Sequence, residues 1–365
     1  MLKRWIPALI LAVVGVSAVL SACGEGSGKP PLPPPVVSAV SQDDNYPLPG
    51  DPKNYAPLEK YEAMKVPADN PVTQDKVNLG WKLWFDKRLS GKGDRSCYSC
   101  HVNEKGLTDG LAKNTNANDG KPLARHTPTL WNIGYHAEWY WDGRAKTLEG
   151  QALAAWKLAN MGAKDPAEDK IRADVLERIN KAYAADFKKV FNGPADEKNV
   201  VQCLTTFMRT IISKNTAFDK FLAGDQKAIS ASATRGWEIF QKVKCTNCHV
   251  GALLTDQQFH NVGIGMKAEK PDVGRFTVTK IEKDTGAFKT PTLRDVSRSA
   301  PYFHDGSVAT LEEVVKLMLG GGIDNPHLDR VNLLKQEVDE QGVKDIVEFL
   351  KSLDEPFRIK EPKLP

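Results

Sequence analysis

Residues 97–101 read "CYSCH" and residues 245–249 read "CTNCH". Two cysteines separated by two residues and followed at once by a histidine is the attachment pattern for c-type haem. The thiols add across the two vinyl groups of the porphyrin, and the spacing matches the separation of those groups along one turn of chain. The adjacent histidine then meets the iron from one side. Disulfides would suit an oxidising compartment but need no histidine in either copy. Zinc would want four ligands per site and wider separation between ligand pairs. Two covalently bound haem c groups are therefore expected. One would sit on Cys97 and Cys100 with His101 as iron ligand, the other on Cys245 and Cys248 with His249. Cys203, inside an apolar helical run, reads as a buried core thiol.

The motifs are parts of a longer repeat. Residues 127–149, "TPTLWNIGYHAEWYWDGRAKTLE", align without a gap with residues 290–312, "TPTLRDVSRSAPYFHDGSVATLE", at an offset of 163 with ten of 23 positions identical. Before each cysteine motif runs a helical pattern, "VTQDKVNLGWKLWFD" and "RGWEIFQKV", with Thr73 a cap for the first and Gly80-Trp81 echoed by Gly236-Trp237. Each half closes on another helical stretch, "VVQCLTTFMRTIIS" and "VKDIVEFLKSL". Period-two runs are scarce, so the fold class expected is mainly α: two tandem domains related by an internal repeat, each with one haem. "GRFTVTKI" near Gly274 reads as a short strand and "NTAFDKFLAGD" as the linker between halves.

The remainder of the chain sets the context. "MLKRW", the apolar run to Leu20 and "LSAC" form a leader, 1–23, with Cys23 as a lipidated new N-terminus. A Pro- and Gly-rich tether follows, 24–65. The first folded domain would then span 66–220 and the second 221–365. The expected location is the periplasm, with a lipid anchor in the membrane. Losing Lys3 and Arg4 takes the formal charge from +4 to +2, too weak to argue for nucleic acid.

What each iron has on its second face decides function, since a protein ligand there favours electron transfer and a vacancy admits peroxide. "TLEEVVKLM" ends at Met318, whose thioether is a soft ligand; a core methionine is the plain alternative. Subtracting 163 puts Ala155 at the matching point of the first half, and a methyl group cannot bind iron.

With these residues in view, the chain resembles the bacterial di-haem cytochrome c peroxidase and MauG superfamily over roughly residues 72–356. The resemblance rests on both CxxCH motifs, "RHTPTLWN", "YWDGRAKTLEGQA", "FDKFLAGD", "GRFTVT", "TPTLRDV" and "APYFHDGSVATLEEVVKLM". It implies two cytochrome c-like domains and Met318 as sixth ligand of the second haem, where MauG itself has tyrosine. It implies that Trp141 lies between the haems as an electron relay, with His304 its positional counterpart in a positioning role. It also implies that Gln151 belongs to the first haem pocket.

Two departures stand out. The family's catalytic glutamate falls at Asn160, whose amide cannot shuttle a proton near neutral pH; His126, His136 and Glu149 are weak substitutes. The histidine that blocks the first haem in many family peroxidases is missing, with Asn118 near its place, which implies an open site without reductive activation. His126 stands where the family has an asparagine on an interdomain calcium, and imidazole suits that hard cation poorly. An alternative for His126 is to cap an iron. His260 and His327 read as surface or loop residues.

The reading that results is a haem-dependent peroxidase. Hydrogen peroxide would be reduced above His101, with electrons supplied through the His249/Met318 haem by a small periplasmic cytochrome or copper protein. A MauG-like oxidation of tryptophan or tyrosine in a partner protein is the second reading, and a non-catalytic di-haem electron carrier the third.

Overall fold

The Thr73 hydroxyl accepts from the Lys76 N–H and opens α1, Gln74–Phe85, at the expected place. This computed structural model describes Tyr46 and residues 64–365; the leader, Cys23 and most of the tether lie outside the described residues. After α1 come α2 (Leu148–Lys157), α3 (Ala173–Phe191) and α4 (Glu197–Met208). Next are α5 (Ala217–Leu222), α6 (Ala231–Lys242), α7 (Phe276–Thr279), α8 (Leu311–Leu319) and α9 (Glu340–Lys351). The described strands are β1 (Phe259–His260) and β2 (Phe288–Lys289), paired antiparallel with Phe259 opposite Lys289. The molecule is mainly helical.

Helix α1 packs on α4, and α6 packs on α9. The echoed glycines explain both crossings. A Cβ on Gly80 would overlap the Cys203 carbonyl of α4, and one on Gly236 would overlap the Asp345 carbonyl of α9. Only glycine permits backbones to approach so closely. Around the first pair, Val77, Leu83, Trp84, Trp131 and Phe207 build one core. Around the second, Phe240, Leu254, Val315, Ile346 and Phe349 build another.

The repeated stretch turns and bridges at matching positions. Asn132 and Asp295 both turn left-handed at φ 59°, and Tyr140 and Phe303 both at φ 68°. Trp139 bridges Ala145 as Tyr302 bridges Val308. Thr147 then caps α2 and Thr310 caps α8. Position 131 carries Trp and position 294 carries Arg, whose guanidinium forms a buried two-pronged ion pair with Asp219 of α5 at 3.0 Å.

Two local expectations are corrected. "NTAFDKFLAGD" is no open linker: Thr216 and Asp219 form a capping box that starts α5, and Phe218 is buried in the second core. A boundary at 220 therefore cuts a helix. "GRFTVTKI" forms the helical turn α7 rather than a strand. Gly274 lies hard against the Ala287 carbonyl at φ 53°, and this turn overrides the β preference of Thr277 and Val278.

The C-terminal residues cross back to the first core. Ile359 is buried there, and it exchanges hydrogen bonds of 2.8 and 3.0 Å with the Asn103 side chain. Trp81 Nε1 donates to the Lys360 carbonyl at 2.6 Å. Tyr46 covers the same region, its ring 4.9 Å from that of Phe207. Ile359→Ala should lower stability by about 2–4 kcal/mol through the cavity it leaves. Urea unfolding checks this, and a loss below about 0.5 kcal/mol, the scale of an ordinary surface change, would show that these C-terminal residues are not part of the core.

Candidate haem sites

Each cysteine motif is wound into one tight turn. The His101 N–H donates to the Cys97 carbonyl at 3.1 Å and the His249 N–H to the Cys245 carbonyl at 3.0 Å. His101 Nδ1 lies 2.8 Å from the Leu107 carbonyl, and His249 Nδ1 lies 3.0 Å from the Leu254 carbonyl. A carbonyl only accepts, so Nδ1 carries the hydrogen and Nε2 keeps its lone pair. Burial pushes both imidazoles below their ordinary range, which keeps them neutral and able to bind metal.

The surroundings fit a large, flat, mostly apolar group. Trp84 stands 5.9 Å from the His101 ring and Phe240 6.3 Å from the His249 ring. Trp84 Nε1 is buried without a partner, a donor available to the polar edge of such a group. Cys97, Cys100, Cys245 and Cys248 are all free. Among the described residues, the one group of three potential metal ligands is Cys248, Asp256 and His260, which includes neither motif histidine. Cys248 belongs to the second motif, so this group joins one motif thiol to Asp256 and His260 and leaves both motif histidines out.

Beyond the caps Thr147 and Thr310, α2 and α8 run in the same register. Ala155 and Met318 are each the eighth residue of their helix, and both are half-buried.

Between the halves lies a polar and aromatic junction. Trp141 Nε1 donates to the His126 carbonyl at 2.8 Å, and the Trp141 carbonyl accepts from the Lys289 N–H at 2.8 Å. The His126 N–H donates to the His304 carbonyl at 2.7 Å. His126 Nδ1 meets the Leu111 carbonyl at 2.7 Å, so Nε2 is its remaining ligand atom. The His304 ring stacks on Phe288 with centroids 3.5 Å apart. Arg125 sits 5.2 Å from Phe288 and pairs with Asp142 at 2.7 Å and Asp272 at 2.6 Å.

The residues named for proton transfer lie apart from one another in environment. Gln151, on α2, has a buried Oε1 without a partner. Asn160 is exposed in the turn after α2. The loop carrying Asn118 lies along that turn, with the Ala117 N–H donating to the Ala159 carbonyl at 2.7 Å. Glu149 is bound to Arg209 at 2.8 Å, Thr205 at 3.0 Å and Asn70 at 3.1 Å. Burial opposes its ionisation, but Arg209 outweighs burial and holds the carboxyl below its usual range. Glu149 is thus committed to an ion pair rather than poised to shuttle protons.

Two features escaped the sequence. His260 is no plain surface residue: Nε2 is 2.9 Å from Asp256 and Nδ1 2.5 Å from Asp329. Asp256, the neighbouring Cys248 and Asp329 raise it to about 11. Asp256 at i−4 was visible, whereas Asp329 comes from a distant loop. His327 lies in that loop, after α8. The second feature is Lys289, 8% exposed, with Nζ 2.9 Å from Nδ1 of the buried His136 and donating to the Glu138 carbonyl at 2.8 Å. Nothing in one sequence pairs residues 136 and 289.

The chain is similar to several known proteins. The family model for di-haem cytochrome c peroxidase matches residues 74–227. Cytochrome-c peroxidase IdrP1 of Denitromonas iodatirespirans is 36% identical, over 87% of this chain and 91% of that one. Methylamine utilization protein MauG of Methylorubrum extorquens is 37% identical, over 85% and 87%. The crystal structure of a MauG-like protein associated with microbial copper homeostasis superposes with a TM-score of 0.74 at 30% identity, covering 83% of this chain and 96% of that one.

Burial lowers Lys289 from 10.5 to about 7. A depressed lysine contributes stability that is fully present above its unfolded value and is lost as pH falls through its folded value. Wild type should therefore lose stability relative to Lys289→Met as pH falls from about 10.5 toward about 7. Thermal midpoints of both proteins across that range check the sign; parallel curves would contradict it.

Proposed function

Because this chain belongs to the di-haem cytochrome c peroxidase and MauG family of haem-dependent oxidoreductases, we propose that it reduces hydrogen peroxide at an open first centre with electrons delivered through a closed second one. The two haems, when bound, supply the redox chemistry. Cys97 and Cys100 would hold the first and Cys245 and Cys248 the second, while His101 and His249 each offer a neutral Nε2. Met318 would close the second centre, and Ala155 has nothing to offer the first. One helical register filled by a thioether in one half and a methyl group in the other is the observation that carries the proposal.

Trp141 suits a relay because it is fixed from both sides of the junction, by the His126 carbonyl and the Lys289 N–H. An indole held so needs little rearrangement as it gives up and regains an electron. His304, stacked on Phe288, positions the junction. The unpartnered Gln151 Oε1 can accept a hydrogen bond from a bound reactant, and the exposed amide of Asn160 can orient but not exchange a proton. Proton delivery then falls to water reaching the open centre. The leader with Cys23 supports a periplasmic, membrane-tethered protein served by a small cytochrome or copper protein.

A second reading is MauG-like oxidation of tryptophan or tyrosine in a partner protein. Asn160 in place of an acid and the lack of a blocking histidine favour it, while Met318 in place of tyrosine favours the first. The discriminating experiment mixes the di-haem protein with a reduced small cytochrome and peroxide. The expected result is peroxide-dependent oxidation of the cytochrome, slowed at least ~10-fold by Met318→Ala with haem content unchanged. An unoxidised cytochrome beside a mass change in a co-purified partner would replace the first reading with the second.

A further inference from the structure

Five described tryptophans have a hydrogen-bond acceptor for the indole N–H, and four of those acceptors are main-chain carbonyls. Trp81 donates to Lys360, Trp139 to Ile133, Trp141 to His126 and Trp156 to Leu89. Trp131 differs. Its Nε1 donates at 3.0 Å to Oδ2 of Asp295, a carboxylate from the other half of the repeat, and both side chains are fully buried. Asp295 Oδ1 accepts from the Glu355 N–H at 3.2 Å and lies 3.4 Å from Arg298, which also serves Asp354 at 3.3 Å. One guanidinium thus faces two carboxylates, which leaves negative charge beside the indole. Burying a carboxylate is costly when a neutral carbonyl would satisfy the same N–H. Burial raises the Asp295 carboxyl to about 6, a sign of that cost.

The pair is close to the first candidate haem site. A Cβ on Gly106 would stand 2.8 Å from the Asp295 carbonyl, and Gly106 adjoins Leu107, whose carbonyl takes the His101 Nδ1 hydrogen. Thr129, two residues before Trp131, donates to the Gly106 carbonyl at 2.7 Å.

We propose that Trp131 and Asp295 form a second oxidisable site, distinct from Trp141, which stores one oxidising equivalent during the peroxide reaction. The inference rests on the peroxide chemistry proposed above. One electron leaves the indole, and the N–H proton moves along the 3.0 Å bond to Asp295 Oδ2. A neutral indolyl radical and a neutral carboxylic acid result. Hydrogen peroxide takes up two electrons and two protons and ends as two waters. Trp131 supplies one of those electrons, the haems, when bound, would supply the other until the electron donor replaces it, and the two protons come from solvent. A further donor electron and the returning proton restore Trp131 and the carboxylate. Asp295 makes the step easier because a negative charge next to the ring stabilises the positive charge left when the electron departs.

The test uses the full-length di-haem protein with ring-deuterated tryptophan, mixed with peroxide without a reductant, frozen rapidly and read by EPR. Wild type should give a narrow tryptophan-radical signal that deuteration sharpens. Trp131→Phe should abolish most of it. Asp295→Asn keeps an acceptor for the indole N–H but removes the charge, and should lower the radical yield by at least ~10-fold. Unchanged haem absorption and circular dichroism would establish that these variants are folded. Trp141→Phe should retain the signal. A signal that survives Trp131→Phe and Asp295→Asn, or vanishes in Trp141→Phe alone, overturns the proposal. No organic radical in wild type, with peroxide still oxidising a reduced cytochrome, overturns it and leaves the proposed function standing. No reaction with peroxide at all removes the proposed function, and this site with it.

Discussion

Two hydrogen bonds fix the chemistry of this molecule: His101 Nδ1 to the Leu107 carbonyl and His249 Nδ1 to the Leu254 carbonyl. Each contributes only about 1 kcal/mol to stability, far too little to hold a fold together. Their effect is on the imidazoles. Each bond selects one tautomer and turns Nε2 toward its site, while burial keeps the ring neutral. The short loops that supply the carbonyls are in turn held in place. Leu107 is fully buried in the first core and Leu254 is buried in the second.

A duplicated scaffold then lets substitution alone divide the work. The TPTL segment turns left-handed at matching positions in both copies, so a change of side chain is a change of chemistry at a corresponding place. Trp141 faces His304 in the alignment, Trp131 faces Arg294, and Ala155 faces Met318. Arg294 holds α5 through Asp219, whereas Trp131 reaches across to Asp295. Trp141, Lys289 and the C-terminal residues join the two halves.

Much of this was legible in the sequence because it is local. The CxxCH motifs, the cap at Thr73 and the helix with the buried Cys203 are set by neighbours a few residues apart. The glycines Gly80 and Gly236 were visible as an echo, but their reason, contact with a helix over 100 residues away, was not. The failures share that origin. Lys289 with His136, His260 with Asp329, and Trp131 with Asp295 are pairs made by tertiary folding, and neither member signals the other in a single chain. The α5 segment was misread for a different reason. Its capping box is short and lies between polar residues, so the burial of Phe218 is what reveals a helix.

The account stands on an inequality between two otherwise matching centres. EPR of the oxidised protein as isolated, loaded with both haems, tests it most directly. It should show one high-spin ferric signal from the centre at His101 and one low-spin ferric signal from the centre at His249. Two low-spin signals, with neither centre responding to added cyanide, would contradict it.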